Sequence, residues 1–306
     1  MNHRITVAIS ITLFVIAGLI YVASRQQQVR QSDIVVSASF YPLGFFAQQI
    51  IGSHGTVSII TPAGAEPHDY EPTPADVATM QRSSVVVLNG GGLEAWGPAI
   101  LEQLKGSATR LVIVGDGLAT RDVTEDGVAG IDPHIWLSPV LARQEAQRIA
   151  DAIRASDPAH AADYRSNEQQ LLAMLDTVDQ AYQYGLRACV TRDIVTSHLA
   201  FGYLAQQYQL QQVGIAGLSP DEEPSPAQLA AIAQFVKDRN VHTIYFESLI
   251  SPKLAQAIAQ ETGAITAELN PIEGLTADQV AHGDTYQTIM LRNLTSLQGS
   301  LQCPSA

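Results

Sequence analysis

Short apolar runs alternate along this chain with longer stretches in which apolar residues recur every three or four positions. That alternation is the mark of a parallel sheet covered by helices. In the first half the strand-length runs are Ile34 to Phe40, Val57 to Thr61, Ser84 to Leu88 and Leu111 to Val114. In the second half they are Asp193 to Ser197, Gln211 to Ile215, Thr243 to Phe246 and Ile265 to Leu269. Four runs in each half predict two similar α/β lobes. Amphipathic stretches predict helices between them, for example Thr73 to Gln81, Ala227 to Arg239 and Pro252 to Thr262. The last two run into Asn240 and Gly263, residues suited to a left-handed C-terminal cap.

Between the halves, Pro158 to about Tyr184 reads as one long helix, because Leu171, Leu172, Leu175 and Val178 recur at spacings of three and four. Asp157 would cap it and Pro158 would occupy its first turn. At about 1.5 Å per residue it reaches roughly 40 Å, enough to run across two lobes. The expected organisation is a first lobe over 31–156, a linking helix over 157–186 and a second lobe over 187–306. A rigid helical connection allows only limited lobe motion, and no Gly/Ser-rich linker is present to permit more.

Residues 1–30 stand apart as a signal peptide or an N-terminal membrane anchor. Ile5 to Ala23 carries no charged side chain and is bounded by Arg4, Arg25 and Arg30. The stretch is long enough to span a bilayer core, yet Val22, Ala23 and Ser24 also offer a small-residue cleavage site. The absence of cysteine there excludes a lipid-modified amino terminus. Either form places the remaining chain outside the cytoplasm unless the anchor is inverted, and the flanking arginines set no orientation.

The formal charge is −13, and the three arginines of residues 1–30, unaccompanied by acids, leave −16 for the remainder. Such a surface disfavours nucleic acid and anionic lipid and mildly favours cations, although solubility alone also accounts for it. Two cysteines, Cys189 and Cys303, are too few for a disulfide scaffold or a cysteine-based zinc site. In an oxidising compartment they can pair with each other, which the sequence leaves open.

Four segments carry the chemistry: EPHDYEP (66–72), DPHIW (132–136), TSHLAFGY (196–203) and NPIEGLT (270–276). On the predicted map His68, His134, His198 and Glu273 follow the second, fourth, fifth and eighth strands. Loops after strand carboxyl ends are where parallel sheets bind ligands, so a shared metal would sit in the cleft between the lobes. Three neutral imidazoles and one carboxylate suit a tetrahedral, zinc-like divalent ion. Each residue also has an ordinary reading, as a helix-entry turn, a packed neighbour of Trp136, a strand terminus or a loop acid. Glu247, after the seventh strand, is an equally good carboxylate by pattern. His3 belongs to the amino-terminal segment, and His54, His160, His242 and His282 read as solvent-facing or structural. Trp136, Phe201 and Tyr203 read as dry packing around the site. Tyr70 reads as turn chemistry, and Asp221 to Glu223 as a solvated helix-entry loop.

EPHDYEPTPAD (66–76), DPHIWLSP (132–139), TSHLAFGYLA (196–205), DEEPSPAQL (221–229) and NPIEGLT followed by DTYQTIMLRNL (284–294) resemble the metal-binding solute receptors of zinc and manganese ABC importers. The resemblance spans roughly residues 33–300. It implies an α/β fold of two lobes, each a four-stranded parallel sheet flanked by helices, joined by a long backbone helix, with metal held between them. It implies a non-enzymatic, monomeric extracytoplasmic or periplasmic receptor, tethered if its amino-terminal helix is retained, that delivers Zn²⁺ to a membrane permease.

By position, the family's histidine ligands fall on His68, His134 and His198. The fourth ligand of zinc-type members falls on Glu273, whereas the aspartate of manganese-type members falls near Asn270. That favours zinc over Mn²⁺. The histidine-rich loop that some zinc receptors carry before the second ligand is missing, since 121–130 holds no histidine. Because imidazole must be neutral to coordinate, capture should weaken below about pH 6.5. The alternatives are a manganese receptor of the same family, a zinc-dependent adhesin, or a metallohydrolase with an open coordination position and Glu247 or Glu273 as base.

Overall fold

A computed structural model describes residues 33–125 and 128–304. The stretch from Ile5 to Ala23, with its anchor-or-signal reading, lies outside them. Among the described residues no helix is long and apolar enough to cross a membrane.

The first sheet contains β1 (Ile34–Ala38), β2 (Gly55–Ile59), β3 (Val85–Leu88) and β4 (Arg110–Ile113), all parallel in the order β2-β1-β3-β4. β3 is buried at every position, as an all-valine and leucine strand covered on both faces must be. Helices α1 (Tyr41–Ile51), α2 (Pro74–Arg82) and α3 (Gly97–Gln103) connect these strands. After β4 comes an antiparallel hairpin, β5 (Asp122–Glu125) and β6 (Val128–Ile131), which strand-length apolar runs do not predict. His134 therefore follows this hairpin rather than β4. The chain then enters a 3₁₀ turn at Ile135–Leu137 and α4 (Pro139–Ser156), whose first turn is capped by Ser138.

The long helix, α5, runs Ala161–Leu186 and has 26 residues. Its start corrects the sequence-based expectation. Pro158–His160 form a separate 3₁₀ turn, and Asp157 caps neither segment through its side chain. The Asp157 carboxylate instead accepts from Tyr164 Oη at 2.6 Å and His160 Nδ1 at 2.7 Å. One α5 stripe, Tyr164, Leu171, Leu175, Val178, Tyr182 and Leu186, is buried.

The second sheet repeats the first. It contains β7 (Asp193–Thr196), β8 (Gln211–Gly214), β9 (Thr243–Phe246) and β10 (Ile265–Glu268), parallel in the order β10-β9-β7-β8. Around it lie α6 (Gly202–Tyr208), α7 (Pro226–Asp238), α8 (Lys253–Thr262), α9 (Ala277–His282) and α10 (Tyr286–Ser300). α8 ends on Gly263 in the left-handed region, and Asn240 adopts positive φ just after α7, as the cap residues require.

α5 packs against α1 and α4 on one side and α10 on the other, so one hydrophobic core runs through both lobes. Fully burying a leucine such as Leu175 contributes about 1.5–3 kcal/mol, so this shared stripe resists separation of the lobes at their base. A disulfide joins Cys189, just after α5, to Cys303 beyond α10. It pins the end of the described chain to the start of the second lobe.

Candidate metal centre

Each candidate side chain stands on a loop whose shape is set by nearby backbone chemistry. His68 lies between β2 and α2, where Thr73 and Asp76 form a reciprocal capping box. Tyr70 Oη also donates to Asp76 at 2.8 Å, which folds the turn back onto the helix entry. His198 follows β7, and its carbonyl accepts from Thr196 Oγ1 at 2.7 Å and Gln212 Nε2 at 3.0 Å.

Glu273 lies between β10 and α9, immediately after Ile272, which has φ +61°. A β-branched residue in the left-handed region is strained by about 1–3 kcal/mol. Asn270 maintains that conformation, because its side-chain oxygen accepts from Ile272 N at 2.7 Å while Asn293 clasps its backbone. Asn270 thus shapes the loop that aims Glu273.

The four side chains converge. One ligand atom from each of His68, His134, His198 and Glu273 lies within 4.8 Å of all the others, and among the described residues no other such grouping occurs. His134 Nε2 is 3.3 Å from both His68 Nε2 and His198 Nε2. Glu273 Oε1 is 3.2 Å from His134 Nε2, 3.2 Å from His198 Nε2 and 3.7 Å from His68 Nε2. A tetrahedron with metal–ligand bonds of about 2.0–2.1 Å has edges of about 3.3–3.4 Å. Four of these five spacings match that edge, and the His68–Glu273 spacing is a few tenths of an ångström longer, so the cluster is of a size for a zinc-like tetrahedral ion. His68 has a side-chain exposure of 9%, whereas the other three candidate side chains have none, so the cluster opens towards solvent on the His68 side.

The far nitrogens are anchored. His134 Nδ1 is 2.8 Å from Asp132 Oδ1, and His198 Nδ1 is 2.8 Å from Glu247 Oε1. A carboxylate on Nδ1 holds the proton there and leaves the Nε2 lone pair facing the centre. Glu247, an equal candidate for fourth ligand by sequence pattern, is occupied in orienting His198. Asp132 is itself paired with Arg121 at 3.0 Å. The role of Asp132 was visible only as an acid two positions before His134. Trp136 and Phe201 are fully buried and Tyr203 is nearly so, in keeping with a dry wall. Trp136 Nε1 also donates to Pro271 O at 2.7 Å, bridging the His134 and Glu273 loops. Asp221, Glu222 and Glu223 are exposed ahead of the Ser225 cap of α7.

The electrostatics are those of a site built for a cation. Burial disfavours charge on Glu273, but attraction to His198 and the closeness of all three imidazoles outweigh it and hold this carboxyl well below its ordinary range. Burial likewise opposes charge on His198, yet Glu247 and Glu273 raise it well above the imidazole value. His134 is raised by Asp132 and Glu273 against burial, while for His68 burial prevails and lowers it. Burial, reinforced by repulsion from Glu273, pushes Glu66 up to about 9, so it is a neutral acid at pH 7. Its Oε1 accepts from His68 N at 3.3 Å. The same carboxylates that favour a bound cation thus also favour a proton on His198.

Comparison with known proteins gives a consistent result. The family model described as zinc-uptake complex component A, periplasmic, matches residues 36–300. The chain is 38% identical to the high-affinity zinc uptake system protein ZnuA of Bacillus subtilis, over 87% of each chain. It is 35% identical to the zinc-binding lipoprotein AdcA of Streptococcus pneumoniae, covering 95% of this chain but only 60% of the relative's length. The crystal structure of the Zn(II)-bound ZnuA-like domain of that AdcA superposes with a TM-score of 0.77 at 35% identity, over 88% of this chain and 99% of the other.

Proposed function

The chain belongs to the zinc-uptake complex component A periplasmic family, and from that premise we propose that it is the extracytoplasmic solute-binding component of a high-affinity zinc ABC importer. It captures Zn²⁺ between its lobes through His68, His134, His198 and Glu273 and hands the ion to a membrane permease. It acts as a monomer, either released after export or tethered by its amino-terminal segment.

The observation that carries this reading is the convergence of three Nε2 atoms and one carboxylate oxygen at tetrahedral spacing. Nitrogen-rich, four-donor coordination suits zinc, whereas manganese and magnesium favour more oxygen donors and higher coordination numbers. Four protein donors also fill the shell that a hydrolytic centre would keep open for water. Glu247, which could otherwise act as base, points at His198 Nδ1. The chain is accordingly a metal receptor rather than an enzyme.

Capture from the His68 side requires zinc to shed water and the imidazoles to shed protons. One ligand carboxylate brings the ion's charge to +1, and the orienting Asp132 and Glu247 with Arg121 offset the remainder.

Equilibrium dialysis at neutral pH against zinc, manganese and nickel tests the proposal. The expected result is one tightly held equivalent of zinc that manganese does not displace. Tighter retention of manganese than zinc would overturn the metal assignment.

A further inference from the structure

The two orienting carboxylates are not equivalent. Glu247 belongs to the same lobe as His198, the ligand it holds. Asp132 belongs to the first lobe with His134, but residues of α6 in the second lobe grip its surroundings. Tyr203 Oη donates to the Asp132 carbonyl at 3.0 Å and accepts from Thr120 N at 2.9 Å and Arg121 N at 3.0 Å. One phenol thus clamps both strands of chain that present the Arg121–Asp132 pair. Beside it, Gly202 allows close approach: a Cβ there would lie 2.3 Å from Arg121 Nη1 and 2.4 Å from Asp132 Oδ2. Asp132 passes the constraint on, since its Oδ1 accepts from both His134 N at 3.0 Å and His134 Nδ1 at 2.8 Å.

We propose that Tyr203, seated by Gly202, is a positioning residue through which the second lobe aims His134, and that this latch sets the rate of metal release. When the latch is docked, Asp132 is fixed at both its carbonyl and its carboxylate, and His134 Nε2 faces the other ligands. When α6 withdraws, Thr120 N, Arg121 N and the Asp132 carbonyl lose their shared partner, and the His134 ring loses its rigid support. Lobe separation and loss of one ligand are then a single event. This inference rests on the metal-receptor reading above.

Stopped-flow release of Zn²⁺ into excess chelator, using the full chain, tests it. Tyr203→Phe should still bind one equivalent, associate at the wild-type rate, and release zinc roughly tenfold faster, as expected from losing the three hydrogen bonds made by Tyr203 Oη. Gly202→Ala should accelerate release in the same direction. Tyr208→Phe removes a phenol on the same helix that donates to Asp179 at 2.9 Å, away from the ligands, and should release at the wild-type rate. Amide exchange at Thr120 and Arg121 should quicken in Tyr203→Phe and not in Tyr208→Phe. Release from Tyr203→Phe within twofold of wild type would overturn the latch while leaving the receptor reading intact. A wild-type protein that retained no zinc would overturn both.

Discussion

Replacing Glu247 by glutamine separates the charge of this residue from its shape. Glu247 Oε1 accepts from His198 Nδ1 at 2.8 Å and His198 N at 3.2 Å, and the residue is 3% exposed. Glutamine keeps an acceptor in place but removes a full negative charge from beside the imidazole. Loss of such an orienting group typically costs about 10–100-fold in metal affinity, or about 1.4–2.8 kcal/mol.

The pH dependence should change as well, and in a defined direction. In the metal-free protein, burial lowers His198, but Glu247 and Glu273 together raise it well above the ordinary imidazole value. Zinc must therefore displace a proton from His198 at neutral pH, and wild-type affinity should fall about tenfold per pH unit on acidification. Without the Glu247 charge the imidazole pKa drops, so at neutral pH less proton is displaced and the slope flattens. The two affinity curves should therefore draw together as the pH falls. Competition against a chromophoric chelator at a series of pH values measures both curves. Parallel curves, or equal affinity at every pH, would refute the orientation argument.

Other outcomes follow from the core and the crosslink. Glu145 on α4 is fully buried, neither carboxyl oxygen has a hydrogen-bond partner among the described residues, and burial raises it well above the ordinary carboxylate value of 4.5 despite Arg148. The unfolded chain ionises above that value and the folded chain does not, so stability falls as pH rises through it. Glu145→Leu should therefore stabilise by about 1–3 kcal/mol at pH 7 and by less at pH 4, measured by urea denaturation. A larger gain at pH 4 would contradict the sign. Cys189 and Cys303 close a loop with a sequence separation of 114. Cys303→Ser should cost about 2–5 kcal/mol in the same assay, and stability unchanged from wild type would show that the bridge constrains little.

Most of the fold is legible in the sequence because the central strands of both sheets, β1, β3, β7 and β9, are mostly buried. A run such as Val85–Leu88 has no polar position to confuse with a turn, and all eight long-range strands fall within a few residues of the apolar runs. The hairpin over Asp122–Ile131 escapes that pattern because β5 is mostly polar and β6 is a four-residue run broken by Gly130. Its one cue is Asp126–Gly127, a favoured hairpin turn pair. The start of α5 differs from the expectation because Pro158–His160 close a separate 3₁₀ turn, with the Asp157 carboxylate accepting from His160 and Tyr164.

The site divides in the same way. Three of the four converging residues, His68, His134 and Glu273, stand beside proline, aspartate or glycine in recognisable loops, and His198 follows an apolar strand. Whether Glu247 would ligate or orient depends on a distance between β7 and β9 that no spacing encodes. The Tyr203 clamp joins residues 83 and 82 positions apart, across both lobes, and left only an aromatic near His198 to be noticed.

The most direct test is zinc X-ray absorption on the loaded protein beside His198→Ala. Wild type should give a first shell of three imidazole nitrogens and one oxygen at about 2.0 Å with no sulfur, and the variant should lose one imidazole or lose the metal. A shell of six oxygen-rich donors, or an identical spectrum from fully loaded His198→Ala, would contradict the claim that both lobes donate to one ion.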